Sequence, residues 1–229
     1  VLEHCEVLDK EGNYINNIMS VGGIGKGCDQ KDVYISSGKK ATCIPHFTYH
    51  GFRYVKVTGI QAKAQDFSAL VLSSRKEETG TFETSDARLN QLYENTKWSQ
   101  WANMLSIPTD CPQREKAGWT GDMLVYSKTA MQIEDCTNLF TRWLENMACD
   151  QDKYGAIPMV VPNSGKYPVT GKMMNLMYGE KGQATSSGWG DAAVAVPYSM
   201  YQITGNTEIL RKQYECMQQW CDYIIKKAK

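Results

Sequence analysis

The sequence predicts a mixed fold, β first and α after, and three observations carry that reading. Up to about Arg75, apolar residues alternate or run at strand length between clusters of turn residues. From Asp86 onward the apolar spacing lengthens to about 3.6 residues, the period of a helix. Between the two patterns, Arg75 to Thr81 is a polar, charged linker. The 229 residues suffice for one large domain or two small ones. The change of period divides them into 1–78 and 79–229.

In the first part, Asp32–Ser36, Thr48–Val57 and Ser68–Ser73 read as strands. Turn residues lie around them at Asp9 to Asn13, Gly22 to Gly27 and Ser36 to Lys40. Gly22-Gly-Ile-Gly-Lys-Gly27 is superficially like a phosphate loop. It lacks the GxxxxGK[ST] spacing and no helical pattern follows, so it reads as a glycine-rich strand connection.

In the second part, Asp86 to Leu105 reads as a helix with Ser85 as a possible cap and Leu89, Leu92, Tyr93, Thr96 and Gln100 on one side. Gly121 to Ile133 is the next, carrying Leu124, Val125, Lys128, Thr129 and Gln132. Asp135 to Asp150 is a third, with Phe140, Trp143, Leu144 and Met147 spaced for burial. Gln151 to Ser187 is a long irregular stretch containing Pro158, Pro162 and Pro168, of the kind that is functional or mobile in compact domains. Gly190–Thr204 and Asn206–Lys227 then form a helical hairpin. Pro197 should kink or begin its helix. Leu210, Tyr214, Met217, Cys221 and Ile224 make an apolar stripe read as core.

Lys+Arg 25 against Asp+Glu 25 leaves a net charge of +0, so nothing points to nucleic acid or an anionic membrane surface as a partner. No apolar run is long enough to span a bilayer. Val1 to Lys10 has neither the basic start nor the apolar segment of a signal peptide, and no initiator Met is present. The chain is therefore expected to begin inside a longer protein. None of the 8 cysteines forms a CxxC pair, and a chain of this length needs no staples. They read as buried thiols of a reducing compartment, which favours an intracellular location. His46 and His50 form an HxxxH, but Pro45 and the β-forming residues around them argue for extended chain, and they read as structural. No metal and no cofactor is expected.

The densest chemistry lies in Asp110-Cys-Pro-Gln-Arg-Glu-Lys-Ala-Gly-Trp-Thr-Gly-Asp122. Pro112 opens it as a loop, and Gly118 and Gly121 allow a sharp bend or a close approach. Carboxylates gathered in a partly enclosed site have their pKa values pushed apart, which lets one act as an acid near neutral pH. Trp119 offers a flat apolar face for a sugar ring, and Arg114 can fork two hydrogen bonds to vicinal hydroxyls. A surface loop whose charges pair with one another and cap the next helix is the plainer alternative.

The segments Asp110-Cys-Pro-Gln-Arg-Glu115 and Gly118-Trp-Thr-Gly-Asp122 resemble the signature of the bacterial α-L-rhamnosidases, glycoside hydrolase family 78. Phe47-Thr-Tyr-His-Gly-Phe-Arg-Tyr54 resembles the end of the β-sandwich that precedes that family's catalytic domain. Gly188-Trp-Gly-Asp-Ala-Ala193 looks like a later motif. The resemblance implies a partial β-sandwich followed by an incomplete (α/α)6 barrel. It implies Glu115, anchored by its spacing to Trp119, as the general acid of an inverting hydrolysis of terminal α-L-rhamnosides.

By the same resemblance Asp110 and Asp122 bind rhamnose hydroxyls and tune the acid, and Arg114 and Trp119 line the sugar site. Trp189 and Asp191 are further candidates, against which stands a buried tryptophan beside a helix-capping aspartate. The family's general base is a Glu in the second half of the barrel. No residue here matches its motif, so the expected partner is a rhamnose-containing glycoside and the chain alone is expected to be inactive. The open half-barrel should favour association with a second copy.

Two other classes remain open on the residues. One is a catalytically silent rhamnose-binding or scaffold module. The other is a cysteine hydrolase pairing Cys111 with His4, His46 or His50.

Overall fold

A computed structural model describes residues 1–16, 30–74, 77–163 and 185–229. They form two compact units. The first is Val1–Leu72 with Cys111–Lys116, and the second is Ser73–Asp110 with Ala117–Lys229.

The first unit is built on a three-stranded antiparallel sheet with β1 (Leu2–Cys5) in the centre. β2 (Lys31–Asp32) pairs Asp32 with Leu2, and β3 (Tyr54–Val57) runs from Cys5↔Tyr54 to Leu2↔Val57. Having a neighbour on both sides, β1 buries His4 and Cys5. The strands are shorter than the apolar pattern suggests. Only Asp32 of 32–36 and the last four residues of 48–57 join the sheet, and 68–73 carries no strand. Ile35 is 88% exposed, and Leu70 and Val71 are exposed too. Alternation supplies a strand's two faces, but a strand also needs a ladder partner, and none lies beside these segments among the described residues. The turn at 9–13 forms as expected: the Asp9 carboxylate accepts from the Glu11 and Asn13 amides, and Gly12 takes φ +83°. The glycine run 22–27 lies outside the described residues.

The second unit is helical, so the mixed β-then-α fold stands. In α1 (Ala87–Asn103) the cap is Asp86, not Ser85, and its carboxylate accepts from the Arg88 amide at 2.9 Å. The buried residues of α1 are Lys97, Gln100 and Trp101, while Leu89 and Leu92 are exposed. The helix docks through its polar second half. Lys97 pairs with Glu94 at 2.9 Å and Glu78 at 3.4 Å, and Trp101 and Gln100 donate to the buried Glu134.

A short hairpin follows, β4 (Met104–Leu105) and β5 (Ile107–Pro108). In α2 (Thr120–Ile133) the buried face is Met123, Ser127, Ala130 and Met131, and Val125 is 78% exposed. In α3 (Thr137–Asp150) Phe140, Trp143, Leu144 and Met147 are fully buried, as their spacing requires. Side chains of this size each contribute roughly 1.5–3 kcal/mol on burial.

The short α4 (Ser187–Gly190) leads into α5 (Ala192–Thr204) and α6 (Thr207–Ala228). Pro197 neither begins its helix nor ends it; it is buried inside α5. Gly205, at φ +68°, donates to the Tyr201 carbonyl and stops α5, and the Asn206 side chain caps α6. The buried residues of α6 are Ile209, Gln213, Cys216 and Trp220, one position ahead of the expected stripe, and Tyr214 is 64% exposed. The seam turns that way because α6 packs on both α3 and α5. α2 lies against α5, so α2, α3, α5 and α6 share one apolar core.

Candidate functional site

The signature segment is folded by local bonds at its neck and its tip. At the neck, in the second unit, the Asp110 amide donates to the Ala117 carbonyl at 3.0 Å, and the Ala117 amide donates to Asp110 Oδ1 at 3.2 Å. At the tip, in the first unit, residues 112–115 form the turn that Pro112 predicts. Cys111 closes it. Its carbonyl accepts from the Lys116 amide and its Sγ from the Glu115 amide, each at 3.2 Å. Lys116 completes the reversal at φ +50°. Arg114 Nη2 lies 2.6 Å from Glu115 Oε1, a charge-assisted pair between adjacent half-buried side chains.

The tip also holds to the β-sheet part of its own unit. Gln113 Nε2 donates to Glu6 Oε1, and Lys116 Nζ donates to the Tyr49 carbonyl while lying 4.3 Å from the centre of the Tyr49 ring. Pro112 rests on Gly51, where an added Cβ would meet Pro112 Cγ at 2.7 Å. Sequence reasoning missed these anchors. The stretch at 47–54 stands out as a strand pattern and by the resemblance, but no periodicity connects it with residues 112–116.

Beyond the neck the chain enters α2 through a backbone seat. The Val161 amide donates to the Gly118 carbonyl and the Thr120 amide to the Met159 carbonyl, each at 2.9 Å. Gly118 is buried against Val161, so the close approach, rather than a sharp bend, is what requires glycine. Trp119 precedes the first helical residue. Asp122 is exposed in the first turn of α2, where the helix dipole favours a negative charge.

Trp189 is brought to this helix start: a Cβ on Gly121 would sit 2.7 Å from its indole Nε1. It is 36% exposed rather than buried. Asp191 is not a side-chain cap either; its Oδ1 accepts from Trp220 Nε1 at 3.0 Å. The second unit thus gathers Trp189 at the Trp119–Asp122 end of the signature and turns Asp191 toward α6.

The histidines form a separate cluster. His4, Asp32 and His50 hold potential ligand atoms within 4.8 Å of one another. The His4 and His50 rings stack at 4.2 Å and 19°, and a lone pair lies in its ring plane, so nearly parallel rings do not converge on one ion. His50 Nδ1 is 2.8 Å from Gln30 Oε1 and its Nε2 is 3.1 Å from Asp32 Oδ2. Burial pushes the His4 pKa below its ordinary value. The cluster is a satisfied polar chain, and residues 46–50 lie outside any helix, as the sequence suggests.

Two family models match in succession. Residues 1–73 match the bacterial alpha-L-rhamnosidase concanavalin-like domain, and residues 77–229 match the bacterial alpha-L-rhamnosidase 6 hairpin glycosidase domain. The chain belongs to the bacterial α-L-rhamnosidase family. An alpha-L-rhamnosidase of Streptomyces avermitilis is 36% identical over 230 residues, covering 98% of this chain and 20% of that protein. One of Formosa agariphila is 34% identical over 227 residues, covering 96% and 22%. The crystal structure of Aspergillus terreus α-L-rhamnosidase superposes with a TM-score of 0.81 at 34% identity, covering 96% of this chain and 24% of that one. The chain spans about a fifth of the length of the curated relatives it matches.

Proposed function

We propose that this chain carries the acid side of an inverting α-L-rhamnosidase site and that the protein containing it hydrolyses terminal α-L-rhamnosides. The fold of the signature carries the reading: a turn holds Glu115 beside Arg114, while Trp119 and Asp122 open α2 with Trp189 against Gly121.

In the reaction, Glu115 protonates the departing glycosidic oxygen. When the sugar binds, the Arg114–Glu115 pair opens. The guanidinium then donates to ring hydroxyls, and the released carboxylate takes a proton from solvent and turns to the leaving oxygen. Asp110 and Asp122 accept from ring hydroxyls. Trp119 and Trp189 offer apolar faces to the pyranose. Asp191, engaged by Trp220, acts by fixing the α4–α5 junction that carries Trp189.

Inversion needs a second carboxylate across the sugar, roughly 6.5–9.5 Å from the acid, to activate water. That base is proposed to lie in the remainder of a longer protein, since the chain spans only a fifth of its relatives. The 229-residue chain by itself is therefore expected to hydrolyse no aryl α-L-rhamnoside, while a longer protein containing it does. Turnover by the chain alone would place the base within it. Binding of L-rhamnose by the longer protein with no turnover would favour a silent binding module instead.

The chain is also expected to self-associate. A groove of about 560 Å³ between α5 and α6 is lined by Val194, Ala195, Tyr198, Cys221, Ile224 and Ile225, and exposed apolar surface of this kind favours pairing. A monomeric mass in solution at micromolar concentration would remove that reading.

A further inference from the structure

The turn that carries Glu115 makes its anchoring contacts with the β-sheet part of its own unit, at three points. Pro112 sits on Gly51, Gln113 donates to Glu6, and Lys116 donates to the Tyr49 carbonyl. These contacts fall on both sides of Glu115, two before it and one directly after. Between them the turn is stiffened by the two bonds to Cys111 and by the positive φ of Lys116.

The ledge formed by residues 49–51 is itself pinned. Gln30, almost fully buried, donates from Nε2 to the Gly51 carbonyl at 2.8 Å and faces His50 Nδ1 with Oε1. His50 in turn meets Asp32 in the sheet and stacks on His4 of β1. One residue beyond Phe52, the Arg53 amide donates to the Cys5 carbonyl at 2.9 Å, leading the chain into β3. A continuous path of hydrogen bonds and packing thus runs from the sheet to the backbone of the turn. Its weak point for substitution is Gly51. An added Cβ would lie 2.7 Å from Pro112 Cγ, 3.0 Å from Pro112 Cβ and 3.1 Å from Gln113 Cγ, and a proline ring cannot swing aside.

We infer that Gly51, Glu6 and the Tyr49 carbonyl are positioning elements for the general acid, so that the β-unit takes part in proton donation by fixing where Glu115 stands. The inference rests on the reading of Glu115 as the acid. A general acid must lie within hydrogen-bond reach of the oxygen it protonates, and a displacement of about 1 Å costs on the order of 10²-fold in rate. Binding of the sugar does not depend on that distance in the same way. Loss of an anchor should therefore lower kcat with little change in KM. It should fall hardest on substrates whose leaving group needs protonation.

The experiment compares Gly51→Ala, Glu6→Ala and Glu6→Gln with Glu115→Gln in the complete enzyme. Each is assayed on an alkyl rhamnoside and on an activated nitrophenyl rhamnoside, with a thermal melt to confirm folding. Gly51→Ala and Glu6→Ala are expected to lose on the order of 10-fold to 10²-fold in kcat on the alkyl substrate and several-fold less on the nitrophenyl one. Glu6→Gln keeps an acceptor oxygen for Gln113 and should restore most of the loss. If Glu115→Gln shows the leaving-group dependence and folded Glu6→Ala shows none, the positioning role is overturned and the acid assignment survives. If Glu115→Gln itself affects both substrates equally, the acid assignment falls and the positioning role falls with it. Should Gly51→Ala fail to fold, the Glu6 pair decides alone.

Discussion

A Cβ built on Gly118 would sit 2.0 Å from the carbonyl oxygen of Val161, the same oxygen that accepts from Trp143 Nε1 at 3.0 Å. One backbone carbonyl therefore meets both the entry to α2 and the buried indole of α3. No side chain fits at 118 without moving Val161 and loosening Trp143. Gly118→Ala is expected to destabilise the protein by about 1–3 kcal/mol, the usual range for forced overpacking. Thermal unfolding measures it, and a melting temperature equal to wild type would refute the seat.

On the proposed function, Glu115→Gln in a longer protein containing this chain is expected to lower turnover of rhamnosides with poor leaving groups by on the order of 10²–10⁴. Activated aryl rhamnosides should suffer less, because their leaving groups depart without full protonation. Steady-state rates on the two substrate types decide it, and an equal loss on both would end the assignment.

Trp220→Phe removes the indole donor to Asp191 from a site where the ring is buried under Gly190. The expected cost is about 1–3 kcal/mol, since a hydrogen bond to a carboxylate is lost within packed surroundings. Asp191→Asn keeps an acceptor oxygen and should cost less. Denaturant midpoints of the two variants check the order, and the reverse order would mean that the indole matters only for its volume.

Burial pushes the thiols of Cys136 up to about 12 and Cys216 up to about 11, and the Tyr126 phenol up to about 12. In the unfolded chain these groups lose their protons near their ordinary values, while the folded protein retains them. Stability from these groups is therefore fully present below about pH 9, the ordinary thiol value, and is lost as pH rises toward 12. Melting temperatures should hold level up to about pH 9 and fall from there to about pH 11. The thiols of Cys136 and Cys216 should resist alkylation at pH 8 until the protein is denatured, whereas the exposed Cys43, Cys149 and Cys221 react. Rapid labelling of Cys136 in the native protein would contradict its burial.

The helices are legible in the sequence because periodicity is a property of each segment alone. In α3 a single apolar face exists, so Phe140, Trp143, Leu144 and Met147 give both the helix and its buried side. In α6, apolar residues occur on more than one face, including Tyr214 and Ile225. The period is clear there, but the phase depends on α3 and α5. The strands are less legible because alternation supplies faces and not partners. That is why Leu70 and Val71 stand exposed.

The signature was readable as chemistry because its residue types are unusual together. The bonds that hold its tip join positions 6, 49 and 51 with positions 112–116 and leave no local trace. For Asp191 the sequence leaves a sugar-site residue and a helix cap side by side, and neither reading contains its donor, Trp220, which lies two helices away in sequence.

The grouping of Cys111–Lys116 with Val1–Leu72 bears on how such proteins can be recombined. A cut near residue 75 looks like a clean seam between modules, yet part of one module is encoded inside the other. A β-unit borrowed from a distant relative would arrive without the turn it was fitted to. Lineages that exchange this unit would have to carry positions 6, 49–51 and 112–116 together, so these widely separated positions should be inherited as one block.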